Sequence, residues 1–226
     1  MQVEMHHLHI REHASFLATA EKNTLVWIAT RLPRWIKPDH LTLLGLVSMI
    51  LAGASYWAAS RNPMALLLVV IGLALNWLGD SLDGTLARVR NQQRPRYGWY
   101  VDHVVDLVGI FCLLGGLSLS GYMHPVIGLI LLAVFLMVEA EVFLATHSLA
   151  IFRLSFIGFG PTELRIILAI GTLTLLYKPW VGIATAGPFR LFDVGGVVAI
   201  ACLALTFVIS AVRNTRDLYR AERLPG

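Results

Sequence analysis

The chain carries 14 acidic residues in 226, and four of them crowd one short stretch. It reads Asp80-Ser81-Leu82-Asp83-Gly84-Thr85-Leu86-Ala87-Arg88, then nine residues, then Gly98-Trp99-Tyr100-Val101-Asp102-His103-Val104-Val105-Asp106. Asp80 and Asp83 are three apart, and Asp102 and Asp106 are four apart. On helices these spacings put each pair on one face. Four carboxylates brought that close repel one another unless something offsets their charge. Hard oxygen ligands completed by substrate phosphates suit Mg²⁺ or Mn²⁺. A pair of such ions can clamp the attacking and leaving oxygens of an in-line phosphoryl displacement. The small residues point the same way. Gly84 and Ala87 leave room beside the first pair, and Gly98 continues the Asp102–Asp106 stripe one turn earlier. Arg88 follows as a candidate phosphate partner.

The elements that must position these residues cross a membrane. The chain is 57% hydrophobic and 14% charged, with a mean hydropathy of +0.69. A soluble domain carries ~25% charged residues. Leu41–Ala59, Met64–Gly79, Leu107–Met123, Pro125–Val138, Ile166–Tyr177 and Val194–Val212 hold no charge at all. A spanning helix needs ~20 such residues, and these segments with their flanks predict six. The expected fold is an all-α integral-membrane bundle of six transmembrane helices with an amphipathic surface helix in front of it. Residues 1–37 form the N-terminal segment, 38–213 the six-helix domain and 214–226 a basic tail.

Charge sets the orientation. With six spans, the termini and the loops after the second and fourth helices share one side, which holds 15 of the 18 Lys and Arg residues. Only Arg61, Lys178 and Arg190 face the other way. By the positive-inside rule both termini and the aspartates are cytoplasmic. The net charge of +4 therefore suits anionic headgroups, and no nucleic-acid partner is expected. Met1–Glu12 lacks an apolar signal-peptide core. Cys112 and Cys202 each lie within a span and form no CxxC pair, so neither a disulfide framework nor zinc is indicated. Phe16–Leu32 reads as a helix with Leu25, Ile28 and Leu32 on one stripe, ended by Pro33. It lies on the membrane surface or packs on the bundle.

At its aspartates the chain resembles the CDP-alcohol phosphotransferase (CDP-alcohol phosphatidyltransferase) family, whose pattern is DxxDGxxAR, a spacer of eight or nine, then GxxxDxxxD. Asp80, Asp83, Gly84, Ala87, Arg88, Gly98, Asp102 and Asp106 match every fixed position. At ~5–8% usage per residue type, chance gives such a match on the order of 10⁻¹⁰ per starting position, so helix capping alone does not explain it. The resemblance implies a homodimer, two metal ions ligated by the four aspartates, and Asp106 as general base. The acceptor oxygen would attack the β-phosphorus of a CDP-linked donor, and CMP would leave. Pro38-Asp39-His40-Leu41-Thr42 resembles the family's PNxxT stretch near the cytidine, with Asp39 in place of Asn. Thr42 is the nucleotide-contact candidate there; otherwise the stretch is a helix start capped by Asp39.

Two substrate pairings share this chemistry: CDP-diacylglycerol with a polar alcohol, or CDP-ethanolamine or CDP-choline with diacylglycerol. His103 resembles the Asp-His pair of the choline and ethanolamine phosphotransferases, and also reads as an interfacial residue with a hydrogen-bonded ring. The stretch Gly160-Pro161-Thr162-Glu163 resembles a GPxE segment of the same enzymes, with Thr162 as a cap of the fifth span. Glu139 and Glu141 lie at a depth where a charge costs at least ~2.5 kcal/mol unless satisfied. Two residues apart on a helix they point in different directions, so only one can face the site. Arg153 and Arg165 could hold a lipid phosphate or anchor their helices. The rival class is an ion-coupled membrane transporter using intramembrane carboxylates. It predicts acids spread through the membrane depth, whereas these four gather at one edge.

Overall fold

Prolines mark where the helices start. Pro38, Pro95, Pro125 and Pro161 each open one, a position where the missing N–H is no loss and the fixed φ suits the first turn. The computed structural model describes residues 18–149, 161–183 and 186–222. Along the chain run α1 (Ala18–Arg31), α2 (Pro38–Ala59), α3 (Ala65–Val89), α4 (Pro95–Leu119), α5 (Pro125–Leu149), α6 (Pro161–Leu175), strands β1 (Trp180–Ile183) and β2 (Ala186–Arg190), and α7 (Leu191–Ala221).

Helices α2, α3, α4, α5 and α7 have 22 to 31 residues and are apolar enough to cross a membrane. At ~1.5 Å per residue, even the shortest exceeds a ~30 Å hydrocarbon core. Five of the six expected spans are these helices; the expected fifth span is α6, which at 15 residues is shorter than the ~20 a span needs. The protein is an all-α integral-membrane bundle. Among the described residues its one departure is the antiparallel pair β1–β2. There Pro179, Gly182, Gly187 and Pro188 disfavour helix, and strand pairing satisfies the backbone instead.

The bundle is organised around α2, which packs against both α3 and α4. Lipid is as apolar as the side chains, so helices associate through close packing of small residues. A Cβ on Gly116 of α4 would overlap the backbone of Gly53 in α2, and one on Gly53 would overlap the backbone of Cys112. On the other side, a Cβ at Gly72 of α3 would lie 2.9 Å from the Ser48 carbonyl of α2. Beside these contacts Ala52, Tyr56, Leu66, Val69, Leu113 and Leu117 are buried. The Tyr56 hydroxyl lies 2.6 Å from the Thr172 hydroxyl and joins α2 to α6.

Helix α1 packs on α3. Leu25 and Ala29 are buried against Leu41, Leu82 and Leu86, with Ile28 and Leu32 partly buried beside them. The apolar stripe expected of this segment is thus its bundle contact, while Trp27 faces outward. Helix α7 runs on from its apolar part through Arg213 to Ala221.

Because the Gly116 clash is with backbone, no rotamer change relieves it. Gly116→Ala should lower stability by about 1–3 kcal/mol, the usual range for overpacking. Gly115→Ala, which meets no atom within 4 Å, should not. Thermal unfolding of the two variants in detergent checks this.

Candidate active site

The aspartates are placed by two helices held on a third. At the end of α3 the contact with α2 tightens until a Cβ on Gly79 would sit 2.6 Å from the Leu41 carbonyl oxygen. One turn earlier Asn76 donates to the Gly45 carbonyl of α2 at 3.2 Å. These contacts fix the backbone that leads into Asp80. The chain then reverses between α3 and α4 through Asn91, at φ 53°, a left-handed conformation that Asn tolerates. Arg90 stiffens the turn by donating to the carbonyls of Leu32 at 2.8 Å, Pro33 at 3.0 Å and Ile36 at 2.5 Å.

Oxygens of Asp80, Asp102 and Asp106 all lie within 4.8 Å of one another. The spacing rule therefore brings both halves of the motif together, three carboxylates at a time. Arg165 of α6 donates to Asp80 at 2.6 Å, and both side chains are largely covered. Asp83 stands outside the trio. Its carboxylate accepts from the Thr42 hydroxyl at 2.6 Å and from the Gly84 N–H at 2.5 Å. Thr42, a candidate nucleotide contact by sequence, is in this structure the partner of Asp83.

A cavity of about 130 Å³ opens beside these groups, walled by Thr42, Asp83, Gly84, Ala87, Gly98 and Asp102. A Cβ on Gly98 would meet no atom within 4 Å, and one on Gly84 only the Arg88 guanidinium at 3.5 Å. Both glycines therefore leave space in the cavity rather than relieve a protein contact. Arg88 lies on the same side of α3, with its guanidinium 3.0 Å from the Thr85 hydroxyl. On the cavity rim Arg94 binds both oxygens of Asp39, at 2.5 and 2.7 Å, and lies over the Tyr97 ring. These hydrogen bonds raise the Arg94 pKa above its ordinary value. Asp39 is not the helix cap expected from sequence. Lys37 occupies that position and its N–H donates to His40 Nδ1 at 3.3 Å.

The remaining candidates separate cleanly. Glu139 lies near enough to Asp106 for their charges to interact. Glu141 points away, buried, and accepts from Ser210 at 2.8 Å and Asn214 at 2.7 Å of α7. The prediction that the two acids diverge is met, and Glu141 is an interhelical tie. His103 stacks on Trp99 and meets the edge of Phe143. Its Nδ1 lies 2.7 Å from the Trp99 carbonyl, which can only accept, so that nitrogen carries the proton. Thr162 bonds Glu21 of α1 at 3.2 Å and does not cap α6. Arg153 and Gly160 lie outside the described residues. Sequence reasoning missed the Asp39–Arg94 pair, Arg90 and Glu21. Only Glu21 left a signal, as an acid in register with the apolar residues Leu25, Ile28 and Leu32.

The sequence model of the CDP-alcohol phosphatidyltransferase family matches residues 35–212. The chain belongs to that family, a family of phosphotransferases. It is 32% identical over 96 residues to Cholinephosphotransferase 1 of Gallus gallus, a match covering 39% of this chain and 28% of that protein's length. Its fold is similar to Mycobacterium tuberculosis phosphatidylinositol phosphate synthase PgsA1 with CDP-DAG bound, at a TM-score of 0.60 and 19% identity over 90% of this chain and 100% of that one. The apo form of the same synthase aligns at 0.54, again at 19% identity, over 90% and 98%.

Thr42→Val should strip Asp83 of a hydrogen bond to a charged group and lower stability by about 1.5–3 kcal/mol, with Thr42→Ser restoring most of it. Thermal unfolding in detergent measures both.

Proposed function

We propose that this chain transfers a substituted phosphate from a CDP-linked donor to an alcohol hydroxyl, releasing CMP. The observation that carries the reading is the trio Asp80, Asp102 and Asp106, gathered within 4.8 Å next to a cavity kept open by Gly84 and Gly98. Three converging carboxylates, with Asp83 nearby, are a donor set of hard oxygens that fits divalent cations. Asp80, Asp83, Asp102 and Asp106 would hold two, Mg²⁺ or Mn²⁺. Bound there, such ions neutralise charge on the pyrophosphate and on the departing CMP.

The chain's own residues do the rest. Gly84, Ala87 and Gly98 leave the backbone close to the donor, with Thr42 on the same wall. Arg88 pairs with a donor phosphate. Asp106 accepts the proton of the acceptor hydroxyl as its oxygen attacks the β-phosphorus. Holding the two reactants in line supplies much of the acceleration. Arg165 and Arg153 would steer a lipid phosphate. The charge bias along the chain puts the site and both termini on the cytoplasmic side, and family resemblance supports a homodimer.

Identity to a cholinephosphotransferase favours an amino or quaternary-ammonium alcohol as the polar partner. Glu139, whose charge interacts with that of Asp106, is the carboxylate that would face its positive charge, with His103 a further candidate contact. Whether that alcohol arrives as the CDP conjugate or as the acceptor is decided by assay. Purified protein with Mn²⁺ is given CDP-choline or CDP-ethanolamine plus diacylglycerol, and separately CDP-diacylglycerol plus free alcohols. CMP release in one arm identifies the pairing, and none in either removes the proposal.

Two variants test the roles. Asp106→Asn should abolish transfer while CDP-donor binding stays measurable by calorimetry; near-normal turnover removes Asp106 as the base. Gly98→Leu should stay folded by thermal unfolding, since an added Cβ there meets no atom within 4 Å and the position lines the cavity, yet lose donor binding. Unchanged donor affinity in that variant would place the donor elsewhere.

A further inference from the structure

Glu21 lies on α1, outside the aspartate motif, yet its carboxylate takes hydrogen bonds from two other helices. Trp77 Nε1–H donates to its Oε1 at 2.9 Å and the Ser81 hydroxyl at 3.3 Å. The Thr162 hydroxyl lies 3.2 Å from the same oxygen and 3.4 Å from Oε2. A carboxylate has about two lone-pair sites on each oxygen, so Trp77 and Ser81 fill those of Oε1 and the Thr162 hydroxyl is shared with Oε2. Glu21 continues the inward stripe of Leu25 and Ala29, four and eight residues on. A charge on that face is costly unless hydrogen-bonded, and here it is. Thr162 is the second residue of α6, so the carboxylate also meets the positive end of that helix.

The clamp adjoins the aspartate trio. Trp77 and Ser81 sit one turn apart on α3 with Asp80 between them in sequence. Arg165 follows Thr162 by three residues on α6 and holds Asp80 at 2.6 Å. The seam between α3 and α6 is thus tied twice within about one turn, through Glu21 and through Arg165–Asp80.

We propose that Glu21 is a positioning residue: it sets the spacing of α3 and α6, and through it the way Arg165 presents the Asp80 carboxylate to a divalent cation. The inference rests on the metal reading given above. Arg165 occupies one oxygen of Asp80 and leaves the other for a cation. Hydrogen bonds that orient a ligating carboxylate govern metal affinity. Glu21 touches neither cation nor substrate. It acts through Thr162 and Arg165 on one side and Trp77 and Ser81 on the other.

Direct metal binding tests this with the full chain in detergent, titrated with Mn²⁺ and followed by loss of the free-ion EPR signal. Glu21→Ala and Thr162→Val should each weaken Mn²⁺ binding by about tenfold or more, the effect typical of groups that orient ligands. Glu21→Gln keeps the shared oxygen and should stay within about threefold of wild type on the same scale. Metal-free thermal unfolding identifies any variant that does not fold, and Thr162→Val carries the test if Glu21→Ala is one of them. A folded Glu21→Ala or Thr162→Val that binds Mn²⁺ as wild type overturns the proposal. So does a Glu21→Gln as weak as Glu21→Ala, since charge rather than the shared oxygen would then matter. Wild-type protein that binds no Mn²⁺ overturns the metal reading as well; wild-type binding with unaltered variants overturns the role of Glu21 alone.

Discussion

The constraint on which this structure depends is the mutual repulsion of carboxylates held at the end of a membrane bundle. Oxygens of Asp80, Asp102 and Asp106 lie within 4.8 Å of one another. At an effective dielectric of ~20, each ionised pair at that separation repels by roughly 3–4 kcal/mol. Such a cluster persists only where the frame is rigid and the charge is offset. Arg165 meets Asp80 and Thr42 meets Asp83, and Asp39 and Arg94 cancel one another on the rim. Cations held by the aspartates would complete the balance.

Rigidity comes from α2. In lipid no solvent drives the helices together, so their association depends on how closely backbones approach. Gly53, Gly72, Gly79 and Gly116 remove the side chains that would prevent it. The two halves of the aspartate motif lie on α3 and α4, and both helices pack against α2. Small residues deep in the bundle thus fix the distance between carboxylates at its end. Glycine has a second use at Gly84 and Gly98, where an added Cβ meets little or nothing and the vacant volume belongs to the cavity. Composition alone does not distinguish these uses; the neighbours do.

Much of this was readable from local pattern. Uncharged runs marked the spans because hydrocarbon tolerates little else, and the i, i+3 and i, i+4 spacings paired the aspartates because helical periodicity is local. The divergence of Glu139 from Glu141 followed from the same periodicity. Contacts between distant residues were not readable. Nothing near Arg165 shows that it reaches Asp80, 85 residues earlier, and nothing near Thr42 shows that its partner is Asp83. The β1–β2 hairpin was unforeseen because its prolines and glycines say only that a helix ends. Glu21 was visible as a charge in an apolar register, but its three donors lie 56 to 141 residues away.

Asp39 shows that the charge constraint reaches beyond the aspartate motif. Where the family pattern has a neutral Asn, this chain places a further carboxylate on the rim of a cavity already walled by Asp83 and Asp102. Left alone, it would add to the repulsion that the site must contain. Arg94 answers it by placing one guanidinium nitrogen, Nη2, against both oxygens of the same carboxylate, a charge-assisted contact. The exchange of Asn for Asp is therefore neutral in charge only together with Arg94. Because the turn that carries Arg94 is held by Arg90 against the carbonyls before α2, the pair also ties the start of α2 to the start of α4, across the mouth of the cavity.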